Sequence, residues 1–395
     1  MKSLSQKQTG IILLTLIFVS LVGVICLKVI SDPNRYTSHD SIHYLNEVDY
    51  ILDHGISSLF NKQAENFQPF TTWPIGYPIA VSVVSIITRT SPLIASKLLN
   101  FIALGLIFIL LFQWFGNSAW LPALYFFSYS CVEIFTHSWS DGPFLYCVLL
   151  LAYIITQGEK NNKDKCLFLK LIGLLITLFL LRYAGIMYFF ILTGIMAYYM
   201  LQRNYVKARH YFTALSIASL FVCSYFFHNK LVSGYYFGID RADIPVYSFI
   251  EILREIGYGI LNEISIARNI YAGNPFDALY FVLILLQTFI LIKVLKPYKL
   301  RVIKYYNKPK VNLVVISGIA YLVILILFRF TSIISEFNYR ILAPSTTLLF
   351  IALLVIYADD EQHLSLKKGT KWIIGFMVLS LLMNLPKWYL INLVS

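Results

Sequence analysis

The sequence predicts an all-α polytopic membrane protein, with about eleven transmembrane helices and amphipathic helices on its outer surface, from three observations. Of 395 residues, 58% are hydrophobic and 13% charged, against roughly 25% charged in ordinary soluble domains; a soluble enzyme is excluded. The mean hydropathy of +0.70 requires apolar runs longer than a soluble core uses, and spans of ~20 residues with few charges read as membrane helices. The basic residues behind the net charge of +12 gather in short loops between these runs, as orientation by cytoplasmic Lys and Arg demands. No basic helix with interleaved aromatics stands apart from the membrane, so the charge argues for a bilayer as partner and against nucleic acid.

Taken in order, Lys2 and Lys7 precede an apolar run from Ile11 to Ile30, read as an uncleaved anchor within a first span at about 10–30. Further apolar stretches follow at 98–115, 119–135, 142–157, 167–181, 184–201, 211–230, 276–295, 312–330, 341–358 and 371–391. The segment from Ile75 to Thr88 opens with prolines at 74 and 78 and has about 14 residues. That is short of the ~20 needed to cross, so it is read as a helix at the interface or half-way in.

With the N-terminus inside, the loops 1–9, 116–118, 158–166, 202–210, 296–311 and 359–370 face the cytoplasm. Most are basic, carrying Lys160, Lys163 and Lys165, then Arg203, Lys207 and Arg209, then a run from Lys296 to Lys310, then Lys367 and Lys368. The long outer loops, 31–97 and 231–275, carry most of the acids, among them Asp40, Glu47, Glu65, Asp240, Asp243, Glu251 and Glu263. A crossing at 75–88 would swap every later loop and turn the basic runs outward, so the charge pattern decides for eleven spans in a single domain, 1–395.

Two outer stretches have apolar residues at helical spacing: Val48, Ile51, Leu52, Ile56, Leu59 and Phe60, and Phe249, Leu253, Ile256, Ile260 and Ile264. Helices of this kind lie flat on a membrane surface. The five cysteines, Cys26, Cys131, Cys147, Cys166 and Cys223, sit inside or beside apolar spans and imply neither a disulfide framework nor a Cys zinc site.

Ionisable residues at span ends are costly unless they line a cavity, and here they collect on the outer side. If the stretch after span one is helical, Asp40, His43, Tyr44 and Glu47 share a face. His39 and His43 flank Asp40 at i, i+4 spacing, which could hold a divalent metal. Asp141, before Gly142-Pro143, is either a helix cap or a site carboxylate, and Glu133 is expected to point into a wet interior. Arg182 and Arg340 stand at outer span ends, where an arginine either snorkels to headgroups or faces a site. Two guanidiniums beside several carboxylates point to an anionic, lipid-borne substrate, because guanidinium matches phosphate bidentately.

The ordered motifs Ser38-His39-Asp40-Ser41-Ile42-His43-Tyr44, Trp73-Pro74-Ile75-Gly76-Tyr77-Pro78, Ser140-Asp141-Gly142-Pro143, Leu181-Arg182-Tyr183-Ala184-Gly185 and Asn338-Tyr339-Arg340-Ile341-Leu342-Ala343-Pro344 resemble the GT-C membrane glycosyltransferases. That group includes protein O-mannosyltransferases and lipid A aminoarabinose transferases, and the resemblance spans residues 36–345. It implies transfer of a sugar from a polyprenyl-phosphate donor to an acceptor on the outer leaflet, with Asp40 as the general base or acceptor-orienting group and Asp141 as a second site carboxylate. Tyr77 and Tyr339, in the same motifs, are further cavity candidates. Some relatives hold the phosphate with a Lys just before the Gly-Tyr-Pro segment, where this chain has Thr71, Thr72 and Trp73. Donor-phosphate binding then falls to Arg182, Arg340, Lys62 or a histidine.

The chemistry suits these residue types, since a carboxylate can take the acceptor hydroxyl's proton and arginines in a partly dry cavity stabilise the departing phosphate. The chain ends soon after its last span, which favours a glycan or lipid acceptor over a protein. No Asn-x-Ser/Thr sequon occurs, consistent with a bacterial cytoplasmic membrane. A transporter or flippase, and a polysaccharide polymerase or ligase using a polyprenyl-diphosphate-linked glycan, are the competing readings.

Overall fold

A computed structural model describes residues 6–56, 70–158, 166–237, 248–270, 277–295, 309–331, 337–359 and 366–394, and the described residues form helices without a strand. Lys62, the stripe positions Leu59 and Phe60, the acids Glu65, Asp240 and Asp243, and the basic residues Lys160, Lys163 and Lys165 lie outside them, as does most of the Lys296–Lys310 run.

The first span is α1 (Gln6–Ser31). Near its start Gly10 lies so close to the Asn117 backbone that a Cβ would stand 2.6 Å from the carbonyl oxygen, which sets α1 against the end of α4 (Pro92–Phe115). At the opposite end of α1 the chain enters α2 (His39–His54), followed by the short α3 (Gly76–Thr88). The apolar stripe of α2 turns inward at Val48 and Ile51, both buried, while Ile56 is exposed.

The expected span 119–135 is not one helix. It runs as α5 (Trp120–Ala123), a 3-10 turn (Leu124–Phe127) and α6 (Tyr129–Thr136). Ser128 interrupts the ladder by adopting extended backbone and capping α6 through the Cys131 N–H. The Tyr129 N–H so released donates to the Ile266 carbonyl at 2.7 Å. A buried backbone N–H must be satisfied inside the protein, and the break is tolerated because a second segment supplies the acceptor.

The remaining helices are α7 (Asp141–Gly158), α8 (Leu167–Leu181), α9 (Met187–Leu201), α10 (Tyr205–Ser233), α11 (Phe249–Ile264), α12 (Ala278–Leu295), α13 (Pro309–Thr331), α14 (Tyr339–Asp359), α15 (Leu366–Met383) and α16 (Lys387–Val394). The expected span 371–391 is likewise divided, into α15 and α16, because Pro386 cannot continue the hydrogen-bond ladder.

Among the described residues, six helices are long and apolar enough to cross a membrane, and five shorter apolar ones accompany them, α3 included. Length and composition thus support an integral membrane protein without establishing eleven spans. The bundle's outside is apolar as lipid requires, with Ile87, Leu201 and Leu285 at least 70% exposed, while Leu21, Leu104, Leu111, Leu175, Leu192 and Leu348 fill one continuous core. Small residues bring α13 and α14 together: the Ser345 hydroxyl donates to the Gly318 carbonyl at 2.7 Å.

The amphipathic α11 opens with a capping box in which Ser248 and Glu251 each satisfy the other's backbone N–H. Phe249, Leu253 and Ile264 of its stripe are exposed, whereas Ile256, Gly259 and Glu263 are buried. Three contacts strap it across the start of α14. Glu255 pairs with Arg329 and accepts the Phe337 N–H at 2.9 Å. Gly259 leaves no room for a Cβ over the Phe337 carbonyl. Glu263 accepts from the Ser130 hydroxyl at 2.7 Å and from the Thr346 hydroxyl at 2.6 Å.

Burial pushes the Glu263 carboxyl from 4.5 up to about 7, outweighing the two hydroxyl donors that favour its ionised form. A raised carboxyl stabilises the fold fully below its unfolded value near 4.5, and that contribution is lost as pH rises through about 7. Glu263→Gln is therefore expected to raise the melting temperature by roughly 2–4 °C at pH 8 and to leave it nearly unchanged at pH 5. Thermal unfolding followed by intrinsic fluorescence checks this, and an equal shift at both pH values would refute it.

Candidate functional site

Four charged side chains from distant parts of the chain meet at the end of the bundle where α1 finishes. Asp40 lies in the first turn of α2, whose cap residue Ser38 accepts the Ser41 N–H at 3.3 Å and the Trp139 indole N–H at 2.6 Å. Arg340 lies in the first turn of α14 and donates to Asp40 at 2.6 Å through Nη1 and to Asp141 at 3.1 Å through Nη2. Arg182 follows α8 in extended backbone and pairs with the other oxygen of Asp141.

Exposure grades along this chain of charges. The Asp141 side chain is 3% exposed, the two arginines 18%, and Asp40 27%. Asp141 thus has both oxygens committed to guanidiniums, whereas Asp40 has the more open carboxylate. The arginines face inward and are ion-paired, so neither is merely snorkelling to headgroups.

Aromatic rings shape the floor. The Arg340 guanidinium lies 3.9 Å from the centre of Trp139, and His137 stacks flat on that indole at 3.9 Å. Tyr44, fully within the fold, hydrogen-bonds Ser140 at 3.3 Å and packs against Trp73 and Tyr77. Burial raises the Tyr44 phenol above its ordinary value, so it stays protonated. Tyr339 meets Tyr129 and Trp139 edge-on or tilted.

The loop between α6 and α7 is held by polar residues of α4. Asn100 donates to the Phe135 and His137 carbonyls, Lys97 to the Thr136 and Tyr36 carbonyls, and Ser96 to Ser138. Gly142 allows this close approach, since a Cβ there would stand 3.1 Å from Asn100 and Phe135. Gly185 does the same for the turn carrying Arg182, where a Cβ would lie 2.5 Å from the Leu178 backbone.

Several expected candidates take other places. Glu133 does not open into a wet interior: it is buried, ion-paired with Lys28, and 3.6 Å from His137. Opposite charge in a dry setting draws it to the lysine, and it braces the site from behind. His39 and His43 are exposed and lie beside each other, with His43 stacked on Trp73. The trio His39, Asp40 and His43 does not gather round a metal, because Asp40 is turned to Arg340. Among the described residues no group of three or more His, Cys, Asp or Glu side chains is placed to hold one.

Of the four α2 residues expected to share a face, Tyr44 and Glu47 are buried, Asp40 is half-buried against Arg340, and His43 is exposed. Glu47 is 9% exposed, its Oε1 has no hydrogen-bond partner, and burial pushes its carboxyl up to about 7. Sequence reasoning missed Lys28, Ser96, Lys97 and Asn100. Their signal was polarity within apolar spans, at positions too ordinary to separate from span ends.

Residues 2–125 match a family described as a family of unknown function (DUF6541). No curated protein matches the chain. No solved structure matches it either.

Proposed function

We propose that the protein is a membrane glycosyltransferase of the GT-C kind. It moves a sugar from a polyprenyl-phosphate donor to a glycan or lipid acceptor of the cell envelope, on the outer face of a bacterial cytoplasmic membrane. The observation that carries this reading is the Asp40–Arg340–Asp141–Arg182 chain, a partly open carboxylate beside two inward-facing guanidiniums at one end of an apolar bundle.

In this reading the donor phosphate engages Arg340 and Arg182, competing with the carboxylates that neutralise them in its absence. The acceptor hydroxyl gives its proton to Asp40 as its oxygen bonds the anomeric carbon. The bond from that carbon to the phosphate oxygen breaks, and the electron pair leaves with the polyprenyl phosphate. Arginines in a water-poor setting stabilise that developing charge more than solvated ones do. An apolar crevice between α12, α14 and α15, lined by Leu291, Phe350, Ile373 and Phe376 among others, suits a prenyl tail.

A transporter or flippase keeps one specific observation in its favour. The chain is broken at Ser128 and after Met383, and both α6 and α15 hydrogen-bond the Ile266 carbonyl, an arrangement that transporters use at their binding sites.

The deciding experiment supplies polyprenyl-phosphate hexoses and a crude envelope acceptor fraction to the purified protein and follows free polyprenyl phosphate by mass spectrometry. Asp40→Asn is expected to lower its release by at least about a hundredfold while eluting as a folded monodisperse species. Equal release by both proteins would remove Asp40 as the base, and no release from any carrier-linked sugar would favour the transporter.

A further inference from the structure

A second cluster of polar side chains lies farther along α2 from the charged site. Glu47 is seven residues beyond Asp40 on the same helix, about 10 Å along its axis. It lies within electrostatic reach of the Tyr225 hydroxyl on α10. That hydroxyl accepts the Ile75 N–H at 3.3 Å and also bonds Tyr183. The Tyr183 hydroxyl donates to the Thr71 carbonyl at 2.8 Å and accepts from Asn229 at 3.3 Å. Tyr50 packs with Tyr225 on the small apolar patch formed by Ile51 and Ile75.

Three side-chain atoms in this neighbourhood are buried without a hydrogen-bond partner: Glu47 Oε1, the Tyr50 hydroxyl and Thr71 Oγ1. Glu47 and Thr71 are 9% and 3% exposed. Unpaired buried polar atoms are rare in folded proteins, and each calls for a partner. A simple cation would satisfy the carboxylate but leave the hydroxyl hydrogens of Tyr50 and Thr71 nothing to donate to. An apolar tail would satisfy none of the three. A ring bearing several hydroxyls offers both donors and acceptors, and its C–H faces suit the tyrosine rings around it.

We propose that Glu47, Tyr50 and Thr71, walled by Tyr225 and Tyr183, form a subsite for the hydroxyl-rich ring of a sugar. The subsite rests on the glycosyl-transfer reading for the source of that sugar, which is either the donor's hexose or a unit of the acceptor glycan.

The test reads binding without turnover. The full chain is placed in phospholipid nanodiscs, free of sugar-headed detergent, and probed by saturation-transfer NMR with the methyl glycosides of glucose, galactose, mannose and N-acetylglucosamine. At least one is expected to bind. Glu47→Ala and Thr71→Val are expected to weaken it at least about tenfold, since each leaves ligand hydroxyls unpaired. Glu47→Gln, which keeps the shape and an acceptor oxygen, is expected to restore most of the affinity. Glu251→Gln, at the exposed start of α11, serves as a control without effect.

Absence of binding by every glycoside, or equal affinity in Glu47→Ala and the unaltered protein, would overturn the subsite. Competition identifies the source, and either result supports the subsite. Polyprenyl-phosphate hexose displaces the glycoside, where polyprenyl phosphate alone does not, if the donor's ring sits there; neither displaces it if the acceptor's does. Glycoside binding without carrier-phosphate release would refute transfer and keep the subsite, so the two failures are distinct.

Discussion

Arg340→Ala is expected to reduce carrier-phosphate release by about 10²–10³-fold, the loss typical of removing one well-placed donor to a developing anion. Arg340 is the hinge of the charged chain: it holds Asp40 at 2.6 Å and Asp141 at 3.1 Å through different nitrogens. Removing it takes away one of the two cationic partners proposed for the leaving phosphate. It also frees Asp40 to turn from the position its pairing sets. Arg340→Lys separates these contributions, because an ammonium keeps the charge but cannot bridge two carboxylates as a planar fork does. The lysine variant is expected to fall between the alanine variant and the unaltered protein. Release within threefold of normal by a folded Arg340→Ala protein would remove the arginine from the proposed mechanism.

Asp141→Ala is expected to act first on stability. Its side chain is 3% exposed and accepts from both Arg182 and Arg340, so truncation leaves guanidinium charge uncompensated in a buried setting. Breaking such a pair costs about 3–5 kcal/mol, much of it the cost of the stranded charge rather than the loss of an attraction. The double variant Asp141→Ala with Arg182→Ala should then be less destabilised than the sum of the two single changes, a coupling that a double-mutant cycle of thermal or denaturant unfolding measures. Strict additivity would show that Asp141 and Arg182 do not act as a pair.

The apolar runs were legible because crossing lipid is a local demand: ~20 residues with few charges suffice, whatever their neighbours. The stretch 167–181 coincides with α8, and 142–157 and 341–358 lie within α7 and α14. The inward face of α2 was legible in part for the same reason: helical spacing puts Asp40, His43, Tyr44 and Glu47 on one face, of which Tyr44 and Glu47 are buried while His43 is exposed. Continuity was harder to read. Apolarity persists through 119–135, yet the ladder is broken at Ser128, where the Tyr129 N–H finds the carbonyl of residue 266 instead. Nothing within the stretch announces a partner so far along the chain.

The roles of individual charges divide in the same way. Carboxylates and arginines at span ends were visible as candidates, but whether one faces lipid, water or another charge is set by its neighbours in space. Glu133 and Asp141 look alike in sequence, each an acid near the end of an apolar run. One braces the bundle through Lys28 and the other joins two arginines.

By itself, the sequence determined that the protein is helical, apolar on the outside and built to sit in a membrane, because these follow from composition and from periodicities of a few residues. Only the tertiary structure decided that Asp40 and Arg340, 300 residues apart, touch, that His43 stacks on Trp73, and that Glu47 is buried with an unpartnered oxygen. The physical reason is that an ion pair or an orphaned polar atom is a property of two surfaces brought together, and helix packing, which brings them together, is not encoded in either segment alone.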